Sequence, residues 1–233
     1  MDDPEYRPPP SLAKEQRDLT RSRIRRAAME VVARRGFDAT VDEIAQLSGV
    51  SPRTVFRHYS SHDRLIAATV TDMFEACGLP RSLDDLDSWI EGLPRSLDDL
   101  DSWVDGVAST FHTRSCEIFG AAFWDIHAPP TNTSEVLCEV DALRRHYRVR
   151  GMRYLSTVVW QSAGGVGEPP DDLVLAFALN LSAFTTQALM ADFDQTPAQI
   201  GALTADILKT LVRRAVAAQR RTRGDVAVDV ADT

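Results

Sequence analysis

The stretch Thr40–Leu65, TVDEIAQLSGVSPRTVFRHYSSHDRL, decides the fold of the N-terminal part of this 233-residue chain. Thr40 and Glu43 form a capping box, in which the hydroxyl accepts from the third amide and the carboxylate reaches back. Ile44, Ala45 and Leu47 give the short helix that follows an apolar face. Ser48-Gly49-Val50 is a turn, with Gly49 suited to a left-handed backbone. Ser51 then reads as an N-cap and Pro52 as a first helical residue, where a missing N–H costs nothing. The second helix runs to about Tyr59, and Ser60 to Asp63 repeats the capping-box spacing for a third. Two short helices about a glycine turn, the second rich in Arg, Thr and His, make a helix-turn-helix.

A recognition helix enters the major groove with its N-terminal residues against base edges. Ser51, Pro52, Arg53 and Thr54 hold that end. Arg53 can pair with guanine O6/N7 and the Thr54 methyl can touch a thymine methyl. Arg57, one turn on, reaches a base or a phosphate, while Val50 and Val55 face inward.

Together with IRRAAMEVVARRGFDAT (Ile24–Thr40) upstream, these motifs resemble the DNA-binding domain of the tetracycline-repressor (TetR/AcrR) family. The resemblance covers the first third of the chain. It implies that Thr40, His58 and Tyr59 grip or support phosphates, setting register without reading sequence. Two positions depart from the family pattern. Phe56 stands where a Tyr is usual, which keeps the packing and loses a hydroxyl. His62 stands where a phosphate-holding Lys is usual, and is neutral at pH 7 unless its pKa is raised.

Charge is unevenly spread along the chain. The formal net charge is −8, yet residues 11–64 hold 11 Lys+Arg against 7 Asp+Glu. A basic head on an acidic body suits DNA bound by one face. Arg17, Arg21, Arg23 and Arg25 crowd the front of the first helix, as a solvated basic face or as phosphate contacts. The three cysteines, Cys77, Cys116 and Cys138, fit a reduced cytoplasmic chain and no disulfide framework. His112 and Cys116 at i,i+4 lack a further ligand pair, so no metal site and no cofactor is expected. No signal peptide is read at the N-terminus. The long uncharged run Leu173–Ala191 carries too many polar groups, with acidic flanks, for a membrane span. It reads as a buried helix.

The fold class expected is all-α. The division is an N-terminal extension (1–15), a helix-turn-helix domain (16–64), a helical ligand-binding and dimerisation domain (65–222) and a disordered tail (223–233). After Leu65 a helix runs to Cys77, where Gly78 and Pro80 stop it. GLPRSLDDLDSWIE (78–91) is then repeated at once as GLPRSLDDLDSWVD (92–105), with twelve of fourteen positions identical. Each copy holds a stop followed by a start. One copy therefore reads as an extra turn or loop and the second as the entry to a true helix. Further helices are expected over Leu97–Thr113, Ser115–Ile126, about 134–160, 171–192 and 197–221.

The helix 171–192 is apolar nearly all round and so must be covered on every side. With the stripe on the last helix it suggests a four-helix bundle about a two-fold axis, and the resemblance implies the same homodimer. Phe177, Leu181, Phe184, Ile207 and Leu211 are the expected interface residues. Aromatic residues gather between 111 and 160. As a core they need no explanation. The resemblance raises a ligand cavity instead, lined by Phe111, Phe119, Phe123, Trp124, His127, Tyr154, Trp160 and Gln161. The expected function is a ligand-responsive, sequence-specific transcriptional regulator, most simply a repressor of a pseudo-palindromic operator released by a small, largely apolar molecule. The alternative is a helical-bundle enzyme or carrier with a structural helix-turn-helix. Against it, no nucleophile–base pair or metal set stands at workable spacing.

Overall fold

The computed structural model describes residues 11–79, 81, 82, 84–106, 117–127 and 134–231. Its described elements are all helical. They are α1 (Leu12–Arg35), α2 (Val41–Ser48), α3 (Pro52–His58), α4 (His62–Ala76), α5 (Leu86–Glu91), α6 (Leu97–Gly106), α7 (Ala122–His127), α8 (Glu135–Ser162), α9 (Asp171–Asn180), α10 (Ala183–Phe193) and α11 (Pro197–Ala231), with a 3-10 turn at Gly36–Asp38. The chain forms two compact units. One comprises Met1–Met73 and Ile118–Cys138, the other Phe74–Glu117 and Glu139–Thr233.

In the first unit α1 packs on α2, and α2 on α3. Ile24, Ala27, Ala28, Val31 and Val32 repeat at helical spacing along α1, and all are buried. They meet a core that includes Ile44, Ala45, Val55, Leu65 and Ile66. Leu47, expected on the apolar face of α2, is instead 44% exposed. The last turn of α1 is held from far along the chain. Ala121 N–H donates to the Ala33 carbonyl at 2.7 Å, and Phe37 N–H donates to the Asp125 carboxylate at 2.7 Å. Gly120 makes the first contact possible, because its φ is +48° and a Cβ there would fall on the Ala33 carbonyl. It also splits the helix expected over Ser115–Ile126, so that α7 begins only at Ala122.

The second unit is built around α11, which packs on α6, α9 and α10. Its core joins Leu93, Leu100 and Val104 to Leu155, Val159 and Trp160 of α8, Leu173 and Phe177 of α9, and Leu208, Val212 and Val216 of α11. Each fully buried aliphatic side chain contributes roughly 1.5–3 kcal/mol. The two copies of the repeat adopt different structures. The second copy runs as α6 and buries Leu100 and Val104 completely or nearly so. The first is neither a loop nor the same helix: α5 starts at Leu86, three residues after the counterpart of Leu97, and buries Ile90 against Tyr147.

The single helix expected over 171–192 is broken. α9 and α10 meet at a bend of 48°, where Ser182 takes an extended backbone (φ −83°, ψ 132°). Side chains there bond the last carbonyls of α9. Asn180 donates to the Ala176 carbonyl and the Thr185 hydroxyl to the Leu179 carbonyl, each at 2.9 Å. Polar side chains that bond nearby backbone compete with helix continuation. Among the described residues no single helix is long and apolar enough to cross a membrane. α11 opens as expected at Thr196-Pro197, with a capping box to Gln199. It continues to Ala231, about ten residues beyond the end expected from sequence.

Candidate nucleic-acid interface

The helix-turn-helix is held by the bonds its sequence announces. Glu43 N–H donates to Thr40 Oγ1 at 3.2 Å, and Thr40 N–H donates to Glu43 Oε2 at 3.0 Å. These bonds to Thr40 hold the Glu43 pKa below the ordinary carboxylate value. Gly49 takes φ +67°, and Val50 N–H reaches back to the Ala45 carbonyl at 3.1 Å, closing α2 as a Schellman turn. Ser51 caps α3 by accepting from Thr54 N–H at 3.2 Å. The third helix is capped one residue later than the sequence suggested. Arg64 N–H donates to the hydroxyl of Ser61, not Ser60.

On α3, Ser51, Pro52, Arg53, Phe56 and Arg57 are exposed, while Val55 is buried and Tyr59 is 6% exposed. The Thr54 hydroxyl lies 2.9 Å from Ser51 Oγ, so its polar end is engaged. Among the described residues Arg53 and Arg57 form no ion pair. Phe56 does not keep the packing expected of it. It is 48% exposed, an apolar ring on the outer face of α3 beside Arg53 and Arg57. Such a ring suits a thymine methyl.

His62 is turned inward. Its Nε2 lies 2.7 Å from the Ala39 carbonyl, so Nε2 carries the proton and donates it there. Its Nδ1 lies 3.3 Å from Asp63. The Asp63 carboxyl is held below its ordinary value first by the Ser134 hydroxyl and then by His62. His58 is pushed below its ordinary value by burial first, then by Arg57, Arg21 and Arg17. It is therefore a neutral ring at pH 7.

Sequence reasoning treated Arg17, Arg21, Arg23 and Arg25 alike. The structure does not. Arg23 Nη2 donates to the Ser48 carbonyl at 2.7 Å, closing the end of α2 beside Gly49. Arg25 makes a two-pronged ion pair with Asp72 of α4, which is nearly buried. Both are structural, and the acceptors that reveal it, a backbone carbonyl and a residue 47 positions away, leave no local sequence signal. Arg17 and Arg21 remain exposed.

Residues 24–69 match the family described as bacterial regulatory proteins, tetR family. The chain carries a tetR-family DNA-binding head. The matched segment runs from the first buried residue of α1 into α4, so it contains α2 and α3 whole and part of α1 and α4. No curated protein matches the sequence significantly. Among solved structures, the transcriptional regulator FadR of Bacillus subtilis in complex with stearoyl-CoA is 14% identical. The alignment covers 81% of this chain and 97% of that one, with a TM-score of 0.56. NalD of Pseudomonas aeruginosa, the secondary repressor of the MexAB-OprM multidrug efflux pump, is 18% identical. It covers 87% of this chain and 98% of that one, with a TM-score of 0.54. At these identities the likeness establishes a shared fold: the tetR-family head followed by a helical body.

The expected ligand residues are distributed over both units. Phe119 and Phe123 are buried in the first, with Trp124 beside Phe123 edge-on and 56% exposed. In the second, Trp160 is fully buried, Tyr154 is half-buried and Gln161 exposed. Phe111 and the side chain of His127 lie outside the described residues, as do His112 and Cys116. Trp160 packs so closely on Gly165 that a Cβ there would overlap the indole, and its Nε1–H finds no acceptor among the described residues.

Of the expected interface residues, Phe177 is fully buried within the protomer and is not available to a second copy. Leu181 and Leu211 pack partly against the same core. Ile207 is half-buried, and Phe184 is 40% exposed. Apolar side chains that do face outward include Leu175 and Leu179 on α9, Phe193 on α10 and Leu203 on α11. An all-round apolar helix has no periodicity to say which side its own protomer takes, which is why the sequence did not separate them.

Proposed function

We propose that this protein is a ligand-responsive, sequence-specific repressor that works in the cytoplasm as a two-fold homodimer on a pseudo-palindromic operator. The observation that carries the reading is the exposed face of α3. Arg53, Thr54, Phe56 and Arg57 stand on a capped recognition helix inside a segment that matches the tetR family. The functional division is a reading head over residues 16–64 and a sensing and pairing body over 65–222. Thr40, His58 and Tyr59 support the backbone register, and His62 acts by bracing Ala39.

A small, mostly apolar ligand enters the body among its aromatic residues. NalD, of the same fold, is a repressor, and FadR was solved with stearoyl-CoA, a long apolar chain on a polar carrier. In this chain the Trp160 Nε1–H, without an acceptor among the described residues, supports the same reading, since a buried donor without an acceptor is costly, roughly 1–3 kcal/mol. Half-buried Arg148, whose pKa burial lowers, donates to the Ala178 carbonyl and offers a cation to an anionic end. Release requires that ligand favour the DNA-incompetent state, since equal affinity would shift nothing. A typical coupling weakens operator binding about 5- to 150-fold, and operator must weaken ligand binding by the same factor. The test is a reporter gene placed behind a DNA site selected by the purified protein. Repression relieved by an apolar additive supports the reading. Expression unaffected by the protein rejects it.

A further inference from the structure

We propose that Arg17 and Arg21 of α1, with Arg57 of α3, form a phosphate clamp that grips the DNA backbone beside the C-terminal end of the recognition helix. The inference rests on the DNA-binding reading above and adds to it a contact site outside the matched segment, since Arg17 and Arg21 precede residue 24.

The first three turns of α1 make no core. Its buried residues begin at Ile24, and Leu12 and Leu19 are exposed. Yet these turns bring Arg17 and Arg21 onto one helix face, spaced i,i+4. Arg21 lies over the Tyr59 ring, its guanidinium carbon 5.8 Å from the centroid. Tyr59 follows directly on Arg57 and His58, so this cation–π contact brings α1 to the end of α3. The field of Arg57, Arg21 and Arg17 reaches His58 together. Like charges at i,i+4 on an isolated helix are mildly destabilising. Among the described residues no carboxylate forms an ion pair with any of the three, although Asp18 is adjacent to Arg17. The contrast with Arg23 and Arg25, each committed to an internal acceptor, marks the other two as available.

The chemistry fits phosphodiester oxygens. A guanidinium fork gives two parallel donors to a phosphate, and stacking on an aromatic ring fixes its plane without using those donors. Arg53 and Thr54 stand at the opposite end of α3, so the clamp falls on the backbone flanking the bases they read. At the start of α4, His62 is turned inward and spends Nε2–H on the Ala39 carbonyl. The clamp therefore carries the grip that a cation at position 62 would have given.

The test measures binding of the full chain to a selected DNA site and to random duplex over a range of salt concentrations. Arg17→Gln/Arg21→Gln should weaken both alike and reduce the magnitude of the log K against log salt slope by about 2, one per phosphate contact. Arg17→Lys/Arg21→Lys should retain most of the slope. Arg17→Gln alone, at an exposed position, should remove about 1 and guards against a folding defect in the pair. Arg23→Gln should lower thermal stability and leave the slope of the folded protein unchanged. An unchanged slope in a folded Gln/Gln variant, or a loss confined to the selected site, overturns the clamp and leaves the DNA-binding reading standing. Failure of the unmodified protein to bind any duplex overturns both.

Discussion

Arg21 and Arg23 stand two residues apart in a run of identical chemistry, yet one lies over Tyr59 and the other closes α2 through the Ser48 carbonyl. What separates them is helical phase, because residues two apart point to different faces of α1. Thr40 is the reverse case, a residue whose role is legible in sequence and realised as a capping box. Thr40→Ala should destabilise the head by about 1 kcal/mol, read as a lower midpoint in chemical denaturation. The same cap gives a pH dependence. Because Glu43 is held below its ordinary pKa by its bonds to Thr40, its share of stability is complete above the ordinary carboxylate range. That share is lost as pH falls through the lowered value. Thr40→Ala should therefore also flatten the acid limb of the stability–pH curve, and an unchanged limb would show that the cap contributes nothing to it.

At the scale of elements, the short helices were legible because their ends are written in Ser, Thr, Pro and Gly. The long-range seams were not legible. Ala121 N–H to the Ala33 carbonyl, Asp125 to Phe37 N–H and Arg25 to Asp72 join residues 47 to 88 positions apart, with no periodicity to mark them. The seam at Gly120 can be tested with a control in the same chain. A residue other than glycine in a left-handed backbone costs roughly 1–2 kcal/mol. Gly78→Ala, at φ +74° in open space, should cost that amount. Gly120→Ala should cost clearly more, since the Cβ meets the Ala33 backbone as well. Equal losses in thermal denaturation would show that the seam opens without penalty.

The repeat shows how context overrides sequence. Leu100 of the second copy is fully buried in the core of its unit, while the first copy contributes Ile90 to a small cluster with Tyr147 and an exposed Asp87–Arg150 ion pair. Exposed pairs contribute about 0–1 kcal/mol, so Ile90 carries most of what the first copy adds. Deletion of 78–91 leaves one Gly-Leu-Pro-Arg-Ser entry to end α4 and start α6. The shortened chain should fold cooperatively and lose about 2–3 kcal/mol, the burial of one large aliphatic side chain. Failure to fold would place the first copy in the essential core.

At the scale of the molecule, the all-helical fold was readable from the absence of any two-residue alternation, and the position of the head from its charge. Which apolar side chains are left exposed was not. Leu175 and Leu179 are 68% and 66% exposed, so a charge there disturbs the proposed pairing and not the core. Leu175→Glu/Leu179→Glu should give folded monomers in analytical ultracentrifugation where the unmodified chain is a dimer, because an unpaired charge is costly to bury. A dimer unchanged by the double substitution would move the interface elsewhere.

The central claim is that the face of α3 reads DNA sequence, and in vitro selection from a random duplex library tests it most directly, with the full chain and its Arg53→Ala variant run side by side. The unmodified protein should enrich a pseudo-palindrome whose half-sites each hold a guanine that the variant no longer selects. A lost bidentate contact corresponds to about 1–3 kcal/mol of discrimination at that position. Enrichment of no motif, or of the same motif at the same strength by both proteins, would contradict the account.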